Sequence, residues 1–196
     1  MMTSRTQTIL EYWLGPEAQR DAPEAPVQER WWAKSEEMDA QIQKEFGADV
    51  ERAGAGHLDD WLSEPRGALA VVILLDQFTR NIHRDHGDMY AHDDRALAIT
   101  NAAVAAKQDA DLRAAERQFL YMPLMHSEQL ADQDEALRLF EGLAADAPNF
   151  AGTVKFCHAH RDIVKRFGRF PHRNALLGRD STPEELEFLT QPGSSF

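Results

Sequence analysis

GALAVVILLDQFTRNIHR, residues 67–84, is the stretch on which the fold turns. From Ala68 to Leu75 no side chain is polar. A segment that is apolar all round must be wrapped by other elements. Val71, Val72 and Ile73 are β-branched and would also suit a buried strand. Two features favour a helix: Pro65 sits near a start position, and Val71, Leu75, Phe78 and Ile82 recur at spacings of four, three and four. The stretch therefore reads as a central helix with a polar end, Asp76, Gln77, Arg80, Asn81 and His83. Polar groups at the end of a buried segment must find partners or be costly.

Working outward, helical spacing recurs along the chain. Ile9, Leu10 and Trp13 mark a first helix, Thr6 to Leu14, stopped by Gly15. Three prolines between Gly15 and Pro26 read as a surface loop. A short helix, Val27 to Lys34, carries Trp31 and Trp32. Ser35 caps the next, with Met38, Ile42 and Phe46 at spacing four; either Gly47 ends it or it runs on to Arg52. His57 to Leu62 adds a turn or two around Trp61. Past the central helix, His86-Gly87-Asp88 is a turn, and Asp93 and Asp94 open a helix that continues to about Lys107. Leu112 to Leu124 is helical, with a kink or an end expected at Pro123. Glu128 to Ala145 and Asn149 to Phe167 follow, the latter closed by Gly168. Residues 169–179 read as a basic loop or short turn. Ser181-Thr182-Pro183-Glu184-Glu185 is a helix start, after which Leu186 and Leu189 are expected against the core. No stretch alternates with the period of a half-buried strand. The expected fold is one all-α domain over residues 1–196, an array of antiparallel helices around a central apolar helix.

Composition limits function. Hydrophobic residues make up 43% of the 196, enough for a core. A net charge of −12 argues against general binding to nucleic-acid backbones or anionic membranes. The lone Cys157 excludes an internal disulfide. No secretory signal is legible at the N-terminus, and the apolar run is far short of the roughly 20 residues that span a bilayer. A cytoplasmic protein is the expectation.

Candidate functional residues are polar groups on apolar faces. Phe156, His160, Ile163 and Phe167 share one stripe; Val154, Cys157, Arg161 and Val164 share a second. A buried Arg161 needs an acid, and Asp76, Glu128 and Asp132 are the candidates. Phe119, Met122, His126 and Leu130 share a face if the helix survives Pro123. Glu128 and Asp132, at i and i+4, repel and need a cation or a proton between them. Asp76 and Arg80 are also at i and i+4, with His83 a turn beyond. These residues read either as a structural network or as a pocket. In the pocket, Arg161, with Arg80 or the pair His172-Arg173, binds an anion, while His126 and His160 exchange protons. Residues 155–179 hold seven Lys and Arg against Asp162 alone, either an internal clasp or a binding patch.

Other motifs are weak. His83-x-x-His86 has chelating spacing but no visible third ligand. His92-Asp93 resembles the ligand pair of HD-type phosphohydrolases but lacks the residues that flank it there. Cys157 and His160 read as a buried inert thiol beside a histidine rather than a reactive pair. Ser127 sits in no nucleophile elbow, and there is no phosphate loop or dinucleotide fingerprint. No metal and no cofactor is implied.

LLDQFTRNIHR, FLYMPLMHSEQLADQD and HRDIVKRFGRFPHRNALLGRDSTPEELEFL, with the early WW and AQIQKEFG, resemble the bacterial domain-of-unknown-function family 924 over nearly the whole chain. The resemblance implies a TPR-like all-helical fold and no activity. The expected function is a helical binding module that holds a peptide, a partner protein or a small anionic ligand at Asp76, Arg80, His83, His126, Glu128, Asp132, His160, Arg161, His172 and Arg173. The alternative is a hydrolase-type acid–base enzyme using the same cluster.

Overall fold

The computed structural model describes residues 4–195, and among them there is no strand. Helix α1 (Ser4–Leu14) buries Ile9, Leu10, Trp13 and Leu14, and Gly15 leaves it with a positive φ of 76°. Helix α2 (Ala25–Trp32) is short. Helix α3 (Glu36–Gly54) begins where the Ser35 hydroxyl accepts from the Met38 N–H at 3.2 Å, and it runs straight through Gly47.

The central stretch is helical throughout. Pro65–Val72, Ile73–Phe78 and Thr79–Ile82 are consecutive and form one helix, α4 (65–82), buried from Gly67 to Thr79. Gly67 is required because a Cβ there would collide with the carbonyl oxygen of Trp61. The middle segment is a π turn. The Thr79 N–H reaches back five residues to the Leu74 carbonyl, and the Thr79 hydroxyl donates to the same oxygen at 3.1 Å. Such a turn inserts one residue into the helix and resets which side chains share a face. It holds Asp76 and Gln77.

Helices α5 (Asp93–Ala105) and α6 (Ala114–His126) pack against α4, α7 (Leu130–Asp146) packs on α6, α8 (Ala151–Phe167) packs on α7, and α9 (Pro183–Leu189) packs on the Pro171–Arg173 turn. Helix α6 neither kinks to a stop nor ends at Pro123. It continues one turn to His126, with the Thr100 hydroxyl donating to the Leu120 carbonyl in the adjoining turn. Burial of α6 from Gln118 to Met125 supplies the packing that holds it helical across the proline. The break falls at 127–129 instead, so Leu130 starts a new helix and does not continue the His126 face.

One continuous core joins α1 to α8, with edge-to-face rings at its centre: Trp13 on Phe78 and Phe119, and Trp31 on Phe119. A smaller cluster of Ile163, Val164 and Phe170 packs with Phe167 and Phe188. Leu186 departs from expectation. It is 57% exposed, and Glu185 is the buried residue of α9, held by Arg169 and by the N–H of Thr182. Thr182 and Glu185 form a capping box, which turns the acid inward and the leucine out. The basic block acts largely as a clasp: Arg166 pairs with Glu184, Arg169 with Glu185 and Arg179 with Glu128. Among the described residues no helix is long and apolar enough to cross a membrane.

Candidate functional site

The polar end of α4 faces a pocket of about 470 Å³. The π turn puts Asp76 on the inner side, where it is fully buried. Its Oδ1 lies 2.7 Å from His126 Nδ1 and 3.1 Å from the Arg80 guanidinium, and Gln77 Nε2 donates to its Oδ2. Burial alone would raise this carboxyl. The Arg80 charge, the contact with His126 and the hydrogen bonds outweigh burial and hold it well below the usual carboxylate range. Arg80 in turn donates to the Asp76 carbonyl oxygen at 2.6 Å and to Asp93 Oδ2 at 3.0 Å.

Arg173 completes the cluster from the 3₁₀ turn Pro171–Arg173. It is 7% exposed, and its guanidinium lies between the rings of Tyr90 and Phe170, 4.6 Å from each centroid. Nη1 donates to Asp93 Oδ2 at 3.3 Å and Nη2 to the His126 carbonyl oxygen at 2.9 Å, while Nε is buried without a partner. One carboxylate oxygen of Asp93 thus serves two guanidiniums, and the other, Oδ1, is buried without a partner. Burial and the neighbouring Arg80 charge both lower the proton affinity of Arg173. Burial likewise lifts the Tyr90 phenol, against the pull of Arg173 and Arg80.

Three histidines line the pocket. The His160 ring lies 6.3 Å from that of His126, and its Nδ1 donates to the Phe156 carbonyl at 2.8 Å. Burial, then the nearby His126, push its pKa down to about 3. Burial, then Arg173, take His172 down to about 4. Both rings are neutral at pH 7.

The structure brings together Asp76, Arg80, His126, His160, His172 and Arg173. It places the other four candidates elsewhere. His83 caps α4 outside the pocket lining. Glu128 and Asp132 share no cation: Glu128 accepts two bonds from Arg179, at 2.7 and 2.9 Å, and one from the Phe170 N–H, whereas Asp132 accepts from the Ser127 hydroxyl at 2.6 Å. Arg161 is not buried among Asp76, Glu128 and Asp132. It pairs with Asp134, two residues on from Asp132 and on a different, more exposed side of the helix, because the α7–α8 packing turns Arg161 to the edge of its stripe.

The sequence-derived set of candidate site residues leaves out Asp93, Tyr90 and Gln77, although Gln77 and Asp93 are visible as part of the polar end of α4 and as a helix-start acid. Nothing in the sequence links Asp93 to Arg173, eighty positions later. That set also leaves out the apolar wall, in which Trp31, Met122, Met125 and the exposed rings of Trp32 and Phe156 line the same pocket. Among the described residues no group of three or more His, Cys, Asp or Glu is placed to hold a metal ion.

Residues 9–193 match a family described as a bacterial protein of unknown function, DUF924. The chain belongs to the DUF924 family. Its fold is similar to the solved structure of a protein of unknown function from Agrobacterium tumefaciens. That relative is 33% identical, the match covers 95% of this chain and 97% of the other, and the TM-score is 0.81. No curated protein matches the sequence. For a DUF924 chain, function has to be argued from the pocket itself.

Proposed function

We propose that this protein binds a small organic anion in the pocket at the end of α4, with Arg173 and Arg80 against the negative group and the Trp31, Met122 and Met125 wall against an apolar body. One observation carries the reading. In a protein of net charge −12, the described residues lining this pocket include Lys34, Arg80, Arg84 and Arg173 and, among those described residues, no carboxylate. The acids that balance these arginines, Asp39, Asp76 and Asp93, sit behind them and outside the lining. The pocket surface is therefore electropositive although its foundations are paired. Arg173 adds a physical reason: it is a buried cation with an unpartnered donor and a depressed proton affinity, a state that an anion relieves.

A pocket of this size suits a small molecule better than a peptide or partner protein, since ligand cavities run to roughly 300–1,000 Å³. Helices α6, α7 and α8, joined by short connections and packed side by side, support a TPR-like antiparallel arrangement used here as a scaffold. A single domain and a cytoplasmic setting are consistent with the continuous core and the lone buried Cys157.

Calorimetric titration with benzoate, phenyl phosphate and neutral benzyl alcohol tests this. Both anions are expected to bind, benzyl alcohol not, and Arg173→Met to weaken the anions at least about tenfold, ~1.4 kcal/mol. Equal binding of the neutral and charged probes, or no effect of Arg173→Met, overturns it.

A further inference from the structure

We infer that His126 is the general base of a hydrolytic activity on esters that carry a carboxylate, a step that rests on the anion-binding reading above. Its geometry is that of a poised base. Nδ1 faces the ionised Asp76 at 2.7 Å, so Nδ1 carries a proton and donates it, which leaves Nε2 as the ring nitrogen available to the pocket that His126 lines. Asp76 is a positioning residue: fully buried, braced by Arg80 and Gln77, and set on the π turn.

Base and anion clamp belong to one network. Arg173 donates to the carbonyl oxygen of His126 itself, and Arg80 contacts the carboxylate that orients it. A carboxylate held by these arginines brings the rest of the molecule to the imidazole. The attacking group is water. The pocket-lining Thr153 hydroxyl donates to Gln118, and Cys157 lies outside the lining, its thiol pushed up to about 12 by burial.

The step balances. Nε2 takes a proton from water as the water oxygen bonds to the ester carbonyl carbon. The tetrahedral adduct collapses, and the C–O bond to the alcohol breaks with its electron pair. The imidazolium, stabilised by Asp76, returns the proton to the leaving oxygen, giving acid and alcohol. Burial keeps the neighbouring His160 neutral, so it does not oppose the charge that forms on His126.

The test uses the full chain with 4-acetoxybenzoate, followed by ultraviolet absorbance, and phenyl acetate as the uncharged comparison. The expected result is saturable release of 4-hydroxybenzoate, with kcat/KM at least about tenfold above that for phenyl acetate. His126→Gln should lower kcat about 100-fold or more with KM changed less than about threefold, and Arg173→Met should act mainly on KM. His126→Ala should regain part of its rate with added imidazole, which a structural role for the ring would not give. His83→Gln, outside the pocket, should leave turnover unchanged. No turnover while benzoate still binds overturns the base and spares the binding site. Turnover unchanged in His126→Gln overturns the base as well. Failure of benzoate to bind overturns the anion reading first.

Discussion

His126 Nδ1 lies 2.7 Å from Asp76 Oδ1, across a separation of fifty residues in the chain, and the carboxylate it meets is completely buried. This contact ties the C-terminal end of α6 to the π turn of α4. It explains why a charged group sits at the end of the most apolar helix: Asp76 answers both Arg80 and His126.

Removing one member of that network leaves its partners buried and uncompensated. Asp76→Ala should destabilise the protein by about 3 kcal/mol or more, read as a lower urea midpoint with an unchanged slope. A loss below about 1 kcal/mol would show that Arg80 is fully compensated by Asp93.

Acid should unfold the protein in two stages with different causes. His160 has an ordinary pKa near 6.5 when unfolded and about 3 when folded, so between those values the unfolded state binds the extra proton. Stability from this group is therefore full above pH 6.5 and falls as pH drops toward 3, by about 1.4 kcal/mol per pH unit. His160→Gln should flatten that slope in urea titrations between pH 6.5 and 4. Asp76 is depressed in the same sense but below the ordinary carboxylate range, so its contribution is lost only below about pH 4.

Far from the pocket, Glu116 is fully buried and shared by Arg20, itself 2% exposed, and Arg66. Glu116→Ala should cost about 3–5 kcal/mol by stranding Arg20. Adding Arg20→Met should recover part of that loss, and thermal unfolding of the two single variants and the double variant measures the coupling. Additive effects would mean the two side chains do not depend on each other.

Cys157 should be inert. It is fully buried, and desolvation raises its thiol to about 12. Ellman's reagent should label it only at the rate of unfolding, and rapid labelling of the native protein would contradict the packing of α8 on α6.

Placing any larger side chain at Gly67 should be severe. A Cβ there meets the backbone carbonyl of Trp61, which no rotamer change relieves. Gly67→Ala should cost about 2 kcal/mol or more, seen as a lower Tm.

How far the sequence reached is clear residue by residue. The apolar run Ala68–Leu75 and the spacing of Val71, Leu75, Phe78 and Ile82 were sufficient for a buried central helix, because helical periodicity and full apolarity are local properties. The capping signals at Ser35 and Thr182 and the stop at Gly168 were legible for the same reason. His126, His160 and Arg173 could be named as polar groups in apolar or basic surroundings. Their partners could not. Arg161 went to Asp134, Glu128 to Arg179, and Asp93 to both Arg80 and Arg173. Periodicity fixes which face a residue occupies, but ion pairing depends on which faces meet across dozens of residues. Nor does any local pattern announce the π turn, whose one-residue insertion turns Asp76 toward His126. The helices and the polar end of α4 were written in the chain. That this end closes on a cation-lined pocket was decided only when α6 and the Pro171–Arg173 turn packed against it.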